Sequence, residues 1–363
     1  MSDAHLLRDY LQQKWALPDI IAARCVYTHC DTATCQQCVD SCPQQAWVLT
    51  DDSLGLDTQR CNLCGLCVSA CPETAISFEF QAATCQFNQQ PTLLLACEHS
   101  GIVDNSAGIV PCLHALTADF LTTHYQAGFN QILSCRGTCN TCPRYAQRDQ
   151  FREQLARVNQ LLNARQAPTF KHAQVNTSQW LNALQTPLES HTHTSSVSRR
   201  SFFRKAALSA IETGLEQLEP QPDTTPAIVT WPQRLPAPMQ TPCLQAYVPS
   251  LDSKRCNACH ACMRLCPHAA LVLEMEDKTL TAYSIKPENC TGCGICVDVC
   301  DQQAIRVQAL QVAETQQFAL SYHRCKACGA SFHYLQPETN PPTYCPICSQ
   351  INHHKHLFQV LSD

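Results

Sequence analysis

Twenty-eight of the 363 residues are cysteine, and their spacing is the chemistry this sequence offers first. Cys256-Asn-Ala-Cys259-His-Ala-Cys262-Met-Arg-Leu-Cys266-Pro reads C-x2-C-x2-C-x3-C-P, and Cys290, Cys293, Cys296 and Cys300 repeat the internal spacing. Three thiolates in a tight loop grip three irons of a cubane from one side, while the fourth Cys begins the next element and points to the other cluster. The pattern therefore assigns Cys256, Cys259, Cys262 and Cys300 to one 4Fe-4S cluster and Cys290, Cys293, Cys296 and Cys266 to a second. Two zinc sites built from the same thiols fit the spacing poorly.

An earlier stretch is looser. Cys61, Cys64, Cys67 and Cys71-Pro72 are regular, but the preceding half reads Cys30-x4-Cys35-x2-Cys38-x3-Cys42-Pro43, with Thr32 where the first Cys is expected. Cys61, Cys64, Cys67 and Cys42 form one predicted cluster. Cys35, Cys38 and Cys71 form another with Cys30, the nearer donor, and Cys25 in reserve; a three-iron or absent cluster is the alternative. Nothing in either stretch supplies an open iron site or an acid/base pair, so these loops are read as conducting rather than catalysing. Both stretches resemble bacterial-type two-cluster ferredoxins; the match covers nearly all of 250–308, with Asp301 where the family usually has Pro.

Between them, the pattern predicts strands at 93–96, 108–110 and 131–134 and helices at 114–127 and 144–164, a small α/β domain with a parallel sheet. Cys97, Cys112 and Cys135 follow the strands, and Cys139 and Cys142-Pro143 lead into the next helix. Carboxyl ends of parallel strands share one edge, so these five thiols are candidates for a third type of cluster. Their order resembles the small iron-sulfur subunit of methyl-viologen-reducing hydrogenases, with His114 where Gly is expected, and that resemblance implies a 2Fe-2S cluster. Buried structural Cys or a reactive thiol at a helix N-terminus are the alternatives.

Near the end, Cys325-Lys-Ala-Cys328-Gly329 and Cys345-Pro-Ile-Cys348 are two knuckles sixteen residues apart, the spacing of a four-Cys zinc ribbon. Rubredoxins share these knuckles, which keeps iron open, but the loop is short for one. His353, His354 and His356 read as a polar tail. Ser198-Arg199-Arg200-Ser201-Phe202-Phe203-Arg204 looks like a twin-arginine signature, yet its position and the polar residues after it argue for a linker helix near 199–218. A Ser-Arg-Arg element also opens the accessory ferredoxins of periplasmic nitrate reductase operons, which 196–305 resembles.

The elements that must hold these loops repeat four times as Cys, three residues, Ala and an apolar run: Cys42 to Ala46, Cys71 to Ala75, Cys266 to Ala270 and Cys300 to Ala304. The expected fold is α+β, with two ferredoxin-like two-cluster modules flanking a small α/β domain and a C-terminal zinc ribbon. Its expected parts are an N-terminal helical segment (1–24), first module (25–84), Cys-rich α/β domain (85–165), linker with one helix (166–242), second module (243–312) and ribbon (313–363).

The 45% hydrophobic share includes Cys, so metal sites are expected to replace part of the core. A net charge of -5 with no long basic run argues against nucleic acid. The first residues carry Asp3, Arg8, Asp9 and Lys14 without an apolar run, and no eighteen consecutive residues are apolar, so neither a signal peptide nor a membrane span is expected. A reducing, cytoplasmic location suits the thiols. The expected function is that of a multi-cluster electron-transfer protein, not catalytic alone, serving a larger redox enzyme. The accessory-ferredoxin resemblance implies a molybdoenzyme such as nitrate reductase or formate dehydrogenase. The alternative is a maturation, assembly or redox-sensing factor for such an enzyme.

Overall fold

The computed structural model describes residues 17–351 apart from 52, 79, 103–106, 145–147, 187, 189–228, 278 and 336–341. The expectations on residues 1–16, on Ser198–Arg204 and the helix near 199–218, and on His353, His354 and His356 lie outside the described residues. The chain forms two compact units. One comprises the residues up to His29 and those from Gln36 to Leu235; the other comprises Cys30–Cys35 and the residues from Pro236 onward.

In the first unit, two short antiparallel pairs frame the Cys loops: Asp19–Ile20 with Ile76–Ser77, and Trp47–Leu49 with Leu54–Leu56. Trp47, Leu54, Val68 and Ile76 close a small core between them. The same unit contains a sheet in the order Ala83–Phe87, Gln90–Cys97, Gln131–Cys135, Lys171–Gln174, with Ile109–Val110 beside the end of Gln90–Cys97. All its pairings are parallel except that of Ala83–Phe87. Leu93, Leu94, Leu95 and Ala96 are wholly buried in succession. A strand covered on two faces has no polar side to present.

Capping starts the helices that flank this sheet. Thr117 Oγ1 accepts the Phe120 N–H (2.9 Å) before Ala118–Gln126, and Asp149 Oδ1 accepts the Arg152 N–H (3.2 Å) before Gln150–Ala164. Asn176 and Gln179 exchange bonds of 2.9 and 3.1 Å in a capping box that opens Thr177–Leu184. The strand Lys171–Gln174 and this helix fall where the composition predicted an extended linker. Trp180 corrects that expectation, because it is wholly buried beside Leu94, Leu133 and Ala183 and ties the segment to the sheet.

In the second unit, Cys243–Leu251 pairs antiparallel with Ile305–Ala313. A four-stranded antiparallel sheet follows the order Leu271–Glu276, Thr279–Ile285, Gln316–Arg324, Ser331–Leu335. The ribbon hairpin thereby continues the ferredoxin sheet instead of starting a separate body at 313, since Leu320 and Leu335 share one core with Met263, Tyr283, Ile285 and Ile305. Thr34 secures the Cys30–Cys35 segment of this unit, donating its N–H to Asp298 Oδ2 (2.8 Å) and its hydroxyl to Oδ1 (3.1 Å). Among the described residues, no helix is long and apolar enough to cross a membrane.

Candidate metal centres

The fourfold sequence repeat is also a fourfold repeat of geometry. Ala46, Ala75, Ala270 and Ala304 are each at most 2% exposed, and the residue before each has left-handed φ: Gln45 (49°), Thr74 (48°), Ala269 (53°) and Gln303 (48°). That turn aims the next N–H back at the Cys. Ala46 donates to Cys42 Sγ (3.4 Å), Ala75 to Cys71 Sγ (3.3 Å) and Ala304 to Cys300 Sγ (3.2 Å).

The carbonyls of the same alanines fix the facing loop. Ala46 O accepts from Asp57 N–H, Ala75 O from Ile21, Ala270 O from Lys286 and Ala304 O from Asp252, all at 2.7–2.8 Å. One residue further out, the strands pair Leu56 with Trp47, Ile20 with Ile76, Ile285 with Leu271 and Leu251 with Ile305. Arg60 Nη2 donates to Gln45 Oε1 (3.5 Å), Arg24 Nη1 to Thr74 Oγ1 (3.3 Å), Arg255 Nη2 to Gln303 Oε1 (3.3 Å) and Asn289 Nδ2 to Ala269 O (3.3 Å).

In this frame the residue after Arg60, Arg255 and Asn289 is Cys61, Cys256 and Cys290, and the residue after Arg24 is Cys25. Spacing alone ranks Cys30 first; the backbone gives Cys25 the equivalent position. Cys25, Cys38, Cys42 and Cys71 pack against one core, whereas Cys30 Sγ lies 3.3 Å from Thr32 Oγ1. The helix Val26–His29 absorbs part of the inserted length. An apolar residue five positions ahead of Cys25, matching Leu56, Leu251 and Ile285, is the sequence signal for it.

The three regular loops share a second feature. Leu63, Ala258 and Gly292 precede the second Cys, Gly65, His260 and Gly294 follow it, and all six have positive φ. Successive N–H groups held in such turns form a concavity that favours an anion, as a thiolate-bound cluster is. Ala258 N–H accordingly donates to Cys256 Sγ (3.4 Å). Burial, together with the neighbouring thiols of Cys256, Cys259 and Cys300, pushes the Cys262 thiol up to about 12. Burial with Cys293, Cys290 and Cys266 pushes Cys296 up, and burial with Cys42 acts the same way at Cys61 and Cys64. Cys300 thus lies near Cys262, Cys266 near Cys296, and Cys42 near Cys61 and Cys64. Bare thiolates are disfavoured there, and bound iron supplies the positive charge they need.

The ribbon is tighter. Sulfurs of Cys325, Cys328, Cys345 and Cys348 all lie within 4.8 Å of one another, and Cys328 Sγ is 3.9 Å from Cys345 Sγ. Four sulfurs at about 2.3 Å from one zinc in a tetrahedron stand about 3.8 Å apart. This group can hold a single metal ion. Among the described residues, no other group of three or more His, Cys, Asp or Glu side chains closes to that separation.

A cleft of about 390 Å³ at the sheet edge is lined by Cys97, Cys112, Cys139 and Cys142. Gly137 sends its N–H to Cys97 Sγ (3.4 Å), and its backbone passes so close to the His99 carbonyl that a Cβ would collide. Cys139 Sγ lies 3.8 Å from His114 Nε2, and His114 Nδ1 is 3.5 Å from Asp149 Oδ1. Burial pushes the Cys112 thiol up to about 12, with Cys97, Cys142 and Cys64 adding to the shift. Cys135, the fifth thiol predicted here, does not line the cleft: it is buried in the sheet core with Ala96, Leu133 and Trp180.

Residues 255–304 match the 4Fe-4S dicluster domain family, and residues 55–77 match the 4Fe-4S binding domain family. The chain is 31% identical over 64 residues to pyruvate synthase subunit PorD of Methanothermobacter marburgensis, covering 18% of this chain and 69% of the relative. It is 34% identical over 61 residues to an uncharacterized ferredoxin of Methanocaldococcus jannaschii, covering 16% and 92%. Similarity to a pyruvate-flavodoxin oxidoreductase of Rhodospirillum rubrum, 32% over 94 residues, covers 20% of this chain but only 8% of that protein. The chain spans less than a tenth of the length of the pyruvate oxidoreductases it matches, and it belongs with the 4Fe-4S ferredoxins.

Proposed function

We propose that this chain is a multi-cluster carrier with four 4Fe-4S clusters, a binuclear iron-sulfur centre in the α/β cleft and zinc in the ribbon, serving a larger redox enzyme. The observation that carries it is the fourfold recurrence of one frame: a buried Ala, four positions past a Cys and preceded by a left-handed residue, facing a loop whose first Cys sits five residues beyond a paired strand position. The proposed ligand sets are Cys256, Cys259, Cys262 with Cys300; Cys290, Cys293, Cys296 with Cys266; Cys61, Cys64, Cys67 with Cys42; and Cys35, Cys38, Cys71 with Cys25 in place of Cys30. When bound, each cluster takes up and releases one electron; the protein's part is to orient the thiolates and shield them from water.

The cleft supports a larger group than one ion, because its four thiols do not close to the separation seen in the ribbon. The client is an oxidoreductase. Relatives named as pyruvate oxidoreductases support one acting on a 2-oxoacid, while the resemblance of 196–305 to accessory ferredoxins favours a molybdoenzyme. Anaerobic reconstitution tests the reading: about sixteen irons in cubanes and about two in the cleft are expected. Eight irons or fewer at saturation would overturn it. Comparing electron exchange with a pyruvate synthase and with a nitrate reductase then identifies the client class.

A further inference from the structure

We infer that the thiol cleft and the first module's regular loop form one electron relay, joined where Cys64 meets Cys112 and held there by Arg144. The inference rests on the proposal that these thiols carry iron. Cys64, Leu66 and Cys112 form a buried cluster of their own, separate from the cores on either side. They belong to different elements. Cys64 precedes the helix Leu66–Ala70, and Cys112 precedes the turn Leu113–Ala115 at the sheet edge.

Two features press these elements together. Gly65, at φ 73°, lies so near the turn that an added Cβ would stand 3.1 Å from Ala115 Cβ and 3.4 Å from the Phe80 ring. A side chain at this position would crowd Ala115 and the Phe80 ring. Arg144, only 15% exposed, ties three loops at once: Nη1 donates to Glu98 Oε2 (2.6 Å) beside Cys97 and to Pro111 O (2.9 Å) beside Cys112, and Nη2 donates to Asn62 O (3.2 Å) beside Cys61. Arg144 is a positioning residue: it touches no sulfur in these bonds, but each backbone it grips is adjacent to one.

Tunnelling falls steeply with distance, so two ligand sulfurs in one dry cluster make a short path. One electron from a low-potential one-electron donor, such as a flavodoxin or dithionite, enters the module. It then leaves the reduced cubane, which is oxidised by one, and enters the cleft centre, which is reduced by one. No bond forms or breaks, and no proton moves.

The test uses the full reconstituted chain and two variants, Arg144→Ala and Gly65→Ala, read by iron content, midpoint potentials and electron paramagnetic resonance of the dithionite-reduced protein. Spin–spin splitting between a cubane and the cleft centre is expected in the natural chain. Arg144→Ala should keep the iron content while the splitting collapses and electron exchange between the two centres slows by tenfold or more; Gly65→Ala, which lies in the cluster loop itself, should lose the splitting too and is compared with the natural chain at equal iron content. Retained splitting and exchange in both variants overturns the relay. Cys142→Ser, which removes one cleft thiol and none of the first module's thiols, separates the layers. Cubane signals with an iron content unmoved by that change, and a Cys139 thiol that alkylates readily in the natural chain, overturn the cleft centre and with it the relay. Absence of cubane signals altogether overturns the carrier proposal instead.

Discussion

The amide of Ala75 donates to the sulfur of Cys71 across 3.3 Å. Such a bond strengthens when the sulfur is a thiolate, and bonds to sulfur are among the levers on cluster potential. The same bond recurs from Ala46 to Cys42 and from Ala304 to Cys300. Alanine is required by space as well as direction: these positions are buried, and the preceding left-handed residue turns the amide inward. This frame lets the irregular half of the first module be read by position instead of spacing.

Cys25→Ser should therefore remove or convert one cluster, costing one to four irons, whereas Cys30→Ser should leave the iron content unchanged. Cys25 follows Arg24, whose guanidinium meets Thr74 as Arg60 meets Gln45 and Arg255 meets Gln303. Iron analysis of both variants checks it. A Cys30 variant that loses iron while Cys25 keeps it would falsify the positional argument.

How far the fold was legible depended on the range of the interaction. The regular Cys loops and the Cys-to-Ala repeat are local, so composition and spacing were enough. Cys25 was ranked below Cys30 because its place is fixed by pairing of Ile20 with Ile76, far away in sequence. Residues 166–242 looked like a linker because the whole stretch is rich in polar residues and Pro, although Asn176-x2-Gln179 was a readable capping box and Trp180, Leu181, Ala183 and Leu184 give the helix an apolar face. Cys135 was placed with the cleft thiols because strand ends share an edge. Side chains along a strand alternate, however, and its sulfur goes to the core, 3.9 Å from Thr177 Oγ1. The ribbon knuckles were plain; their sharing of a sheet with the second module rests on Leu320 and Leu335 and was not.

Gly292 and Gly294 both have positive φ, but only Gly292 faces a wall: an added Cβ would stand 2.6 Å from the Tyr247 ring, while nothing lies within 4 Å of the same position at Gly294. Gly294→Ala should cost about 1–2 kcal/mol for the left-handed backbone alone. Gly292→Ala should cost more and should accelerate loss of the cluster held by the surrounding thiols, because Cys290 and Cys293 must shift with the loop. Thermal unfolding and the rate of visible bleaching in air distinguish them. Equal behaviour of the two variants would show that Tyr247 does not buttress the loop.

The ribbon metal should respond to pH in a way that follows from its thiols. Burial works against a thiolate at Cys325, but N–H groups of Cys328, Cys345 and Ala327 bring its thiol down to about 6; burial and the facing sulfurs push Cys348 up. Metal binding requires every thiol to lose its proton. Above about pH 6 Cys325 has already done so and releases nothing on binding, while Cys348 still must. Below that pH Cys325 has to release a proton too. Zinc affinity should therefore rise with pH throughout, with a slope that steepens by about one proton on going below about pH 6. Proton release measured by calorimetry in buffers of different ionisation enthalpy reports that slope directly. A slope that is unchanged between pH 5 and 7, at about the same proton count, would mean that Cys325 is not the pre-ionised member. Throughout the titration, amide exchange at Leu320 and Leu335 should stay slow, because their side chains lie in the core with Tyr283 and Ile285; only the knuckles, held by bonds such as Cys345 N–H to Cys325 Sγ (3.3 Å), should loosen as the metal leaves.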